Sequence, residues 1–262
     1  MKENQVNKLN EWMKIINEKT EYIRRRHKTY ETAYTVYDKL ICSEMKNYNN
    51  ANSNNIYLLD AGCGWRNNSV SKCLNKNIVA VGADVDKQSL KENISYEHLV
   101  LCNLEFLPFK NNTFSIITNK NVLEHLEHPT EVFKEFNRSS KENCTLLFLL
   151  PNILNPLMIL GKITSTKLHK KMMKLLLKRN ETDIFNTFFK CNSINRLDKI
   201  ANRYNFKKVK FSMCGDFTMF IFNNVVLNMW ILYDIMTNFY PLQNFKMLIV
   251  VKYKHNYKGR YE

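Results

Sequence analysis

At 262 residues with 45% hydrophobic side chains, the chain can bury the core of one α/β domain with small decorations, and global disorder is excluded. A formal charge of +15 favours anionic partners (nucleic acid, lipid headgroups, phosphorylated substrates) without choosing among them, and part of it belongs to a general richness in Lys, Asn and Ile. The seven cysteines are scattered and include no Cys-x-x-Cys pair, so neither a disulfide framework nor a zinc knuckle is expected; free thiols in a reducing cytosol are, and the polar residues 1–19 hold no secretory apolar core.

Much of residues 1–46 has helical spacing, with Trp12, Ile15, Ile16, Tyr22 and Ile23 apolar and a basic run from Arg24 to Lys28. An asparagine-dominated stretch at 47–55 predicts a loop, which makes residues 1–55 an N-terminal helical extension and 56–262 the main domain. Short apolar runs at 56–60, 77–83, 98–102, 114–118 and 145–150 predict five strands, and helical segments such as 129–137 fill most gaps. Such alternation argues for an α/β fold, a doubly wound, mostly parallel sheet with helices on both faces. The rhythm breaks at about 152–191, where residues 167–179 form a basic amphipathic stretch. It resumes with a helix through Ile194, Leu197 and Ala201, a strand at 207–213 and a last strand at 246–253. Residues 217–236, inside a second insertion at about 216–245, are apolar but interrupted by Asn223, Asn224, Asn228 and Asp234. A helix capping the acceptor pocket is expected there, with shallow membrane contact as the alternative.

The first strand runs straight into Asp60-Ala61-Gly62-Cys63-Gly64. Glycines there permit positive φ and close ligand approach, the following helix offers unpaired N–H groups, and open α/β sheets bind ligands at this edge. Asp84 ends the second strand about 20 residues further on, where a carboxylate can accept hydrogen bonds from both ribose hydroxyls. The third glycine of a dinucleotide fingerprint is replaced by Asn67, and an acid before the turn suits a cationic ligand better than a pyrophosphate.

These residues open a longer series. Leu58 to Gly64 resembles motif I of class I S-adenosylmethionine-dependent methyltransferases. Val81-Gly82-Ala83-Asp84 with Val85, then Asn103-Leu104-Glu105-Phe106-Leu107-Pro108-Phe109, then Val122-Leu123-Glu124-His125-Leu126, and Arg138-Ser139-Ser140-Lys141 resemble later segments of the ubiquinone-type branch, in order across 56–152. The resemblance implies a seven-stranded Rossmann-like fold with a helical cap insertion, and S-adenosyl-L-methionine as cofactor. By position, Asp60, Ala61, Gly62, Cys63 and Gly64 would hold the methionine end of the cofactor, Asp84 the ribose, and Asn103 and Leu104 the adenine, with Val85 also among the cofactor-binding residues. Asn119 and Lys120 would face cofactor and substrate. Trp65-Arg66, Ser115 and Lys141-Glu142-Asn143 depart from the family pattern.

Methyl transfer needs alignment above all, and a base only when the acceptor must lose a proton. His125 is the candidate base, weighed against a histidine that merely packs or caps a helix; with His128 it lacks further ligands at zinc spacing, so no metal is expected. The acceptor is expected to be a small molecule, lipid-linked or a glycan, and the location cytoplasmic or peripheral to a membrane. An RNA methyltransferase and a non-catalytic cofactor-binding module are the alternatives.

Overall fold

The computed structural model describes residues 14–15, 18–19, 21–23, 31–49, 56–65, 68–74, 76–163, 186–220 and 223–256. The apolar runs become β1 (Ile56–Ala61), β2 (Ile78–Asp84), β3 (His98–Leu101), β4 (Phe114–Lys120), β5 (Ser140–Pro151), β6 (Phe206–Cys214) and β7 (Leu248–His255), in one sheet ordered β3-β2-β1-β4-β5-β7-β6. The first five strands pair in parallel, and β7 is antiparallel to both β5 and β6. The helices are α1 (Ala33–Asn49), α2 (Asn68–Ser71), α3 (Lys87–Glu92), α4 (Pro129–Ser139), α5 (Pro156–Ile163), α6 (Ile194–Arg203) and α7 (Asn224–Met236).

Period-two alternation builds two core halves. Along β5, Leu146, Phe148 and Leu150 face one cluster with Val132, Phe133 and Phe136 of α4 and Leu197 and Ala201 of α6. Leu147 and Leu149 face the other, with Tyr37, Ile41 and Met45 of α1, Val70 of α2 and Leu90 of α3. The doubly wound, mostly parallel sheet expected from the sequence is therefore the observed one. Because β1 to β4 run the same way, Gly62, Asp84, Cys102 and Asn121 come to a single sheet edge. At the opposite lateral margin, β6 exposes Lys207, Lys208 and Lys210 beside a register shift, features that discourage pairing with another sheet.

The structure corrects three local expectations. α1 continues to Asn49, past the residue where the asparagine-rich loop was to begin, since its core contacts outweigh the poor helix propensity of asparagine. β5 starts at Ser140 rather than 145: Ser140 pairs with Phe114, the register shifts, and Asn143 adopts φ 60 inside the irregularity. Cys42 and Cys73, 31 residues apart with Cα atoms 5.2 Å apart, are disulfide-bonded rather than free thiols. The basic stretches at 24–28 and 167–179, with Arg66, lie outside the described residues.

α1 is held to the sheet by polar as well as apolar contacts. Tyr37 Oη donates to the carbonyls of Asn119 and Leu147 at 3.3 Å each. Glu44 is buried and pairs with Lys252 and with Lys254 Nζ, the latter at 2.8 Å.

Candidate functional site

β1 ends in a turn whose two glycines both have positive φ, 81° at Gly62 and 56° at Gly64. The N–H groups of Gly62 and Cys63 donate to the Ala83 carbonyl at 2.7 and 3.1 Å, which ties the turn to β2. At Gly62 space matters as much as backbone angle: an added Cβ would lie 2.3 Å from Val122 Cγ2.

Asp84, at the end of β2, holds the same turn. Its Oδ2 accepts the Gly64 N–H at 2.8 Å and its Oδ1 accepts the Asp86 N–H at 2.9 Å. One lone pair on each oxygen is committed, and each keeps a second. Asn93 Nδ2 donates to the Gly64 carbonyl at 2.6 Å, securing the far side of the turn. Val85 and Phe106 are exposed, 66% and 75%, and follow the carboxyl ends of β2 and β3 as apolar surfaces open to a flat ring. Between them Asn103 is exposed, with its Oδ1 accepting the Glu105 N–H at 3.0 Å, while Leu104 packs into the core.

Asp60 lies in β1, just before the turn. It is fully buried; Tyr96 Oη donates to its Oδ2 at 2.7 Å and Thr118 Oγ1 to its Oδ1 at 2.9 Å. Its carboxylate is therefore held by hydrogen bonds beside the glycine turn. Burial, with Asp60 next in effect, raises the Tyr96 hydroxyl and the Cys63 thiol, so both stay protonated at neutral pH. Asn119 is likewise fully buried, with Nδ2 donating to the Ala61 carbonyl at 2.7 Å, and it braces the turn. Lys120 Nζ lies 3.4 Å from Ser69 Oγ, and burial lowers its ammonium pKa while Asp60 and Asp38 pull the other way.

Beyond β4, His125 ends a 3-10 turn, Leu123–His125, rather than opening a helix. Its Nδ1 lies 2.8 Å from the Asn186 carbonyl. A carbonyl only accepts, so Nδ1 carries the proton and Nε2 the lone pair. Burial lowers the His125 pKa, against the pull of that carbonyl. Nε2 is 3.9 Å from Glu124 Oε1. Glu124 is buried, its Oε2 has no hydrogen-bond partner, and burial raises its carboxyl to about 7. The backbone carbonyl of Glu124 accepts the N–H groups of Phe188 and Phe189 at 2.8 and 3.1 Å, so the segment after residue 185 closes against this turn.

The structure thus gathers Gly62, Cys63, Gly64, Asp84, Val85 and Asn103 around one edge. It places Asp60, Ala61, Leu104 and Asn119 in the supporting layer. Sequence reasoning missed Tyr96, Thr118, Asn93 and Glu124. Glu124 stood inside a quoted motif, whereas nothing local marks Tyr96, which lies 36 residues from its partner.

Comparison with known proteins agrees with this geometry. The methyltransferase domain family matches residues 59–148. Two uncharacterised proteins of Methanocaldococcus jannaschii are 30% identical over 101 residues and 32% identical over 129, covering 38% and 48% of this chain. The matches span under half of those relatives, 43% and 49% of their lengths. Among solved structures, a methyltransferase-like protein of Bacillus halodurans superposes with TM-score 0.50 at 13% identity, covering 82% of this chain and 99% of its own. A protein of Galdieria sulphuraria described as a sarcosine dimethylglycine methyltransferase gives 0.52 at 11%, covering 84% and 85%. The [4+2]-cyclase SpnF gives 0.50 at 11%, covering 84% and 81%. At these identities the structures establish the fold alone. The family match shows that residues 59–148, which contain the glycine turn and its two acids, are a methyltransferase domain.

Proposed function

We propose that this protein transfers a methyl group from S-adenosyl-L-methionine to a small-molecule acceptor, with lipid-linked and glycan acceptors within that class. The observation that carries the reading is Asp84: it fixes the glycine turn through Gly64 and retains lone pairs on both oxygens at the edge where a ribose diol would lie. The surroundings fit the cofactor. Gly64 faces open space, and Val85 and Phe106 offer apolar faces to an adenine. When bound, the cofactor supplies a methyl group on a positively charged sulfur that is already a good leaving group. What remains for the protein is alignment and exclusion of water.

Asp84 would orient the ribose, and the braced turn over Asp60, Tyr96 and Thr118 would hold the methionine end without reorganising. His125, with its proton fixed on Nδ1 by Asn186, presents the Nε2 lone pair that could take a proton from an O–H or N–H acceptor. Glu124 beside it would favour the resulting imidazolium only where its own carboxyl is ionised, above about pH 7. The test is calorimetric titration of the folded chain with S-adenosylmethionine and with S-adenosylhomocysteine. Micromolar binding of both supports the reading; absence of heat with either overturns it.

A further inference from the structure

Among the described residues, one large apolar surface is exposed. α7 is buried along one side, where Leu227 and Ile231 pack with Ile23 and Phe217. Its other side presents Val225, Met229, Leu232 and Met236, exposed by 68%, 68%, 59% and 53%. Successive steps of four, three and four residues put these side chains in one stripe along the helix. Phe239 and Tyr240, exposed by 68% and 83%, extend it past the helix end. Between 217 and 245 the sole charged residue is Asp234, and that carboxylate is buried against Lys246 Nζ at 2.8 Å. The exposed stripe therefore carries no charge along its whole length. Single exposed apolar residues are ordinary; a continuous charge-free stripe ending in aromatics is the mark of a contact surface.

We propose that this stripe is a membrane-docking surface, lying in the plane of an anionic lipid interface. Charge selects this occupant over a second copy of the chain. Each copy carries a formal +15, so two copies repel, while an anionic lipid surface attracts each of them. The ammonium of Lys19, on Asn224 Oδ1 at 2.6 Å, stands at the first turn of α7 on the flank of the stripe, within reach of a lipid phosphate beside it. Tyr240 and Phe239 at the other end suit the headgroup boundary, where amphipathic rings settle. Among the described residues no helix is long and apolar enough to cross a membrane, so the contact is in-plane. Docking of this kind needs no bound cofactor and stands whether or not the methyltransferase reading holds.

The test is co-flotation of the full-length chain with vesicles of phosphatidylcholine alone or of phosphatidylcholine with 30% phosphatidylglycerol, at about 50 and 300 mM salt, conditions that vary electrostatic screening. Binding should be at least tenfold tighter to the anionic vesicles, weaken with salt, and fall at least tenfold in the Met229→Glu/Leu232→Glu double variant. Val209→Glu, on exposed β6, should bind as the parent chain does. Three results overturn the proposal: no anionic-vesicle binding at low salt; equal binding by the double variant; or a concentration-dependent dimer that the double variant turns into monomer. A fall in the melting temperature of the double variant by several degrees without lipid also overturns it, because the stripe would then be covered by the chain itself.

Discussion

The backbone N–H of Gly64 donates to Asp84 Oδ2 at 2.8 Å, so the acid proposed to orient the ribose is also the clamp that shapes the glycine turn. Binding and architecture are thereby linked in one side chain.

Asp84→Ala should weaken binding of S-adenosylhomocysteine by about tenfold to a hundredfold, the scale of losing charge-assisted hydrogen bonds worth about 1.5–3 kcal/mol. Calorimetric titration measures it. Asp84→Asn keeps acceptor oxygen but loses one carboxylate oxygen, and should fall between parent and alanine variant.

Gly62→Ala is expected to destabilise the fold on two counts. A left-handed backbone costs an L-residue about 1–2 kcal/mol, and the new methyl group meets Val122 Cγ2 at 2.3 Å, an overpacking cost of about 1–3 kcal/mol. Urea unfolding of a double-mutant cycle separates them: Val122→Ala should relieve the steric part of Gly62→Ala and leave the backbone part untouched.

Glu44 sets an acid limit on stability. Burial alone would raise its carboxyl, but hydrogen bonds from Lys252 and Lys254 prevail and hold it at about 2, below the ordinary 4.5. A depressed folded pKa contributes stability above the unfolded value and loses it as pH falls, here between about 4.5 and 2. After discounting for partial solvent screening the contribution is about 1–2 kcal/mol. Melting temperatures recorded across this window should fall more steeply for the parent than for Glu44→Gln, which starts lower.

Glu124 has the opposite sign. Burial raises its carboxyl from 4.5 to about 7, so its ionised form is penalised in the folded state, and the penalty grows as pH rises from about 4.5 to 7. Glu124→Gln should therefore gain melting temperature relative to the parent above pH 7 and show no gain below pH 4.5.

His125→Gln should leave S-adenosylhomocysteine affinity within about twofold while lowering turnover by about a hundredfold on any acceptor that must lose a proton, the range of general-base catalysis. Because burial lowers the His125 pKa, the parent should retain its activity below pH 6.5, and the acid limb of its rate profile should vanish in the variant.

The strands, the glycine turn and the Asp84 spacing were legible because each is encoded within a few residues: an apolar run, two glycines, an acid at a strand end. The same local logic singled out His125 as a candidate but not its state, since its tautomer depends on the carbonyl of Asn186, 61 residues away. Asp60 shows the limit most clearly. Its place before the turn was readable, yet its burial under Tyr96 and Thr118 depends on how β1, β4 and the segment before β3 meet in space.

By itself the sequence determined the order and kind of elements, the turn, and the pair of acids at one sheet edge, because side-chain periodicity and backbone freedom act over short stretches. Tertiary structure alone decided that β7 enters between β5 and β6, that Cys42 meets Cys73, that Glu44 reaches lysines 208 and 210 residues away, and that one side of α7 stays open. Those outcomes depend on which surfaces come to face each other, and a periodicity shared by many partners does not name the one it will meet.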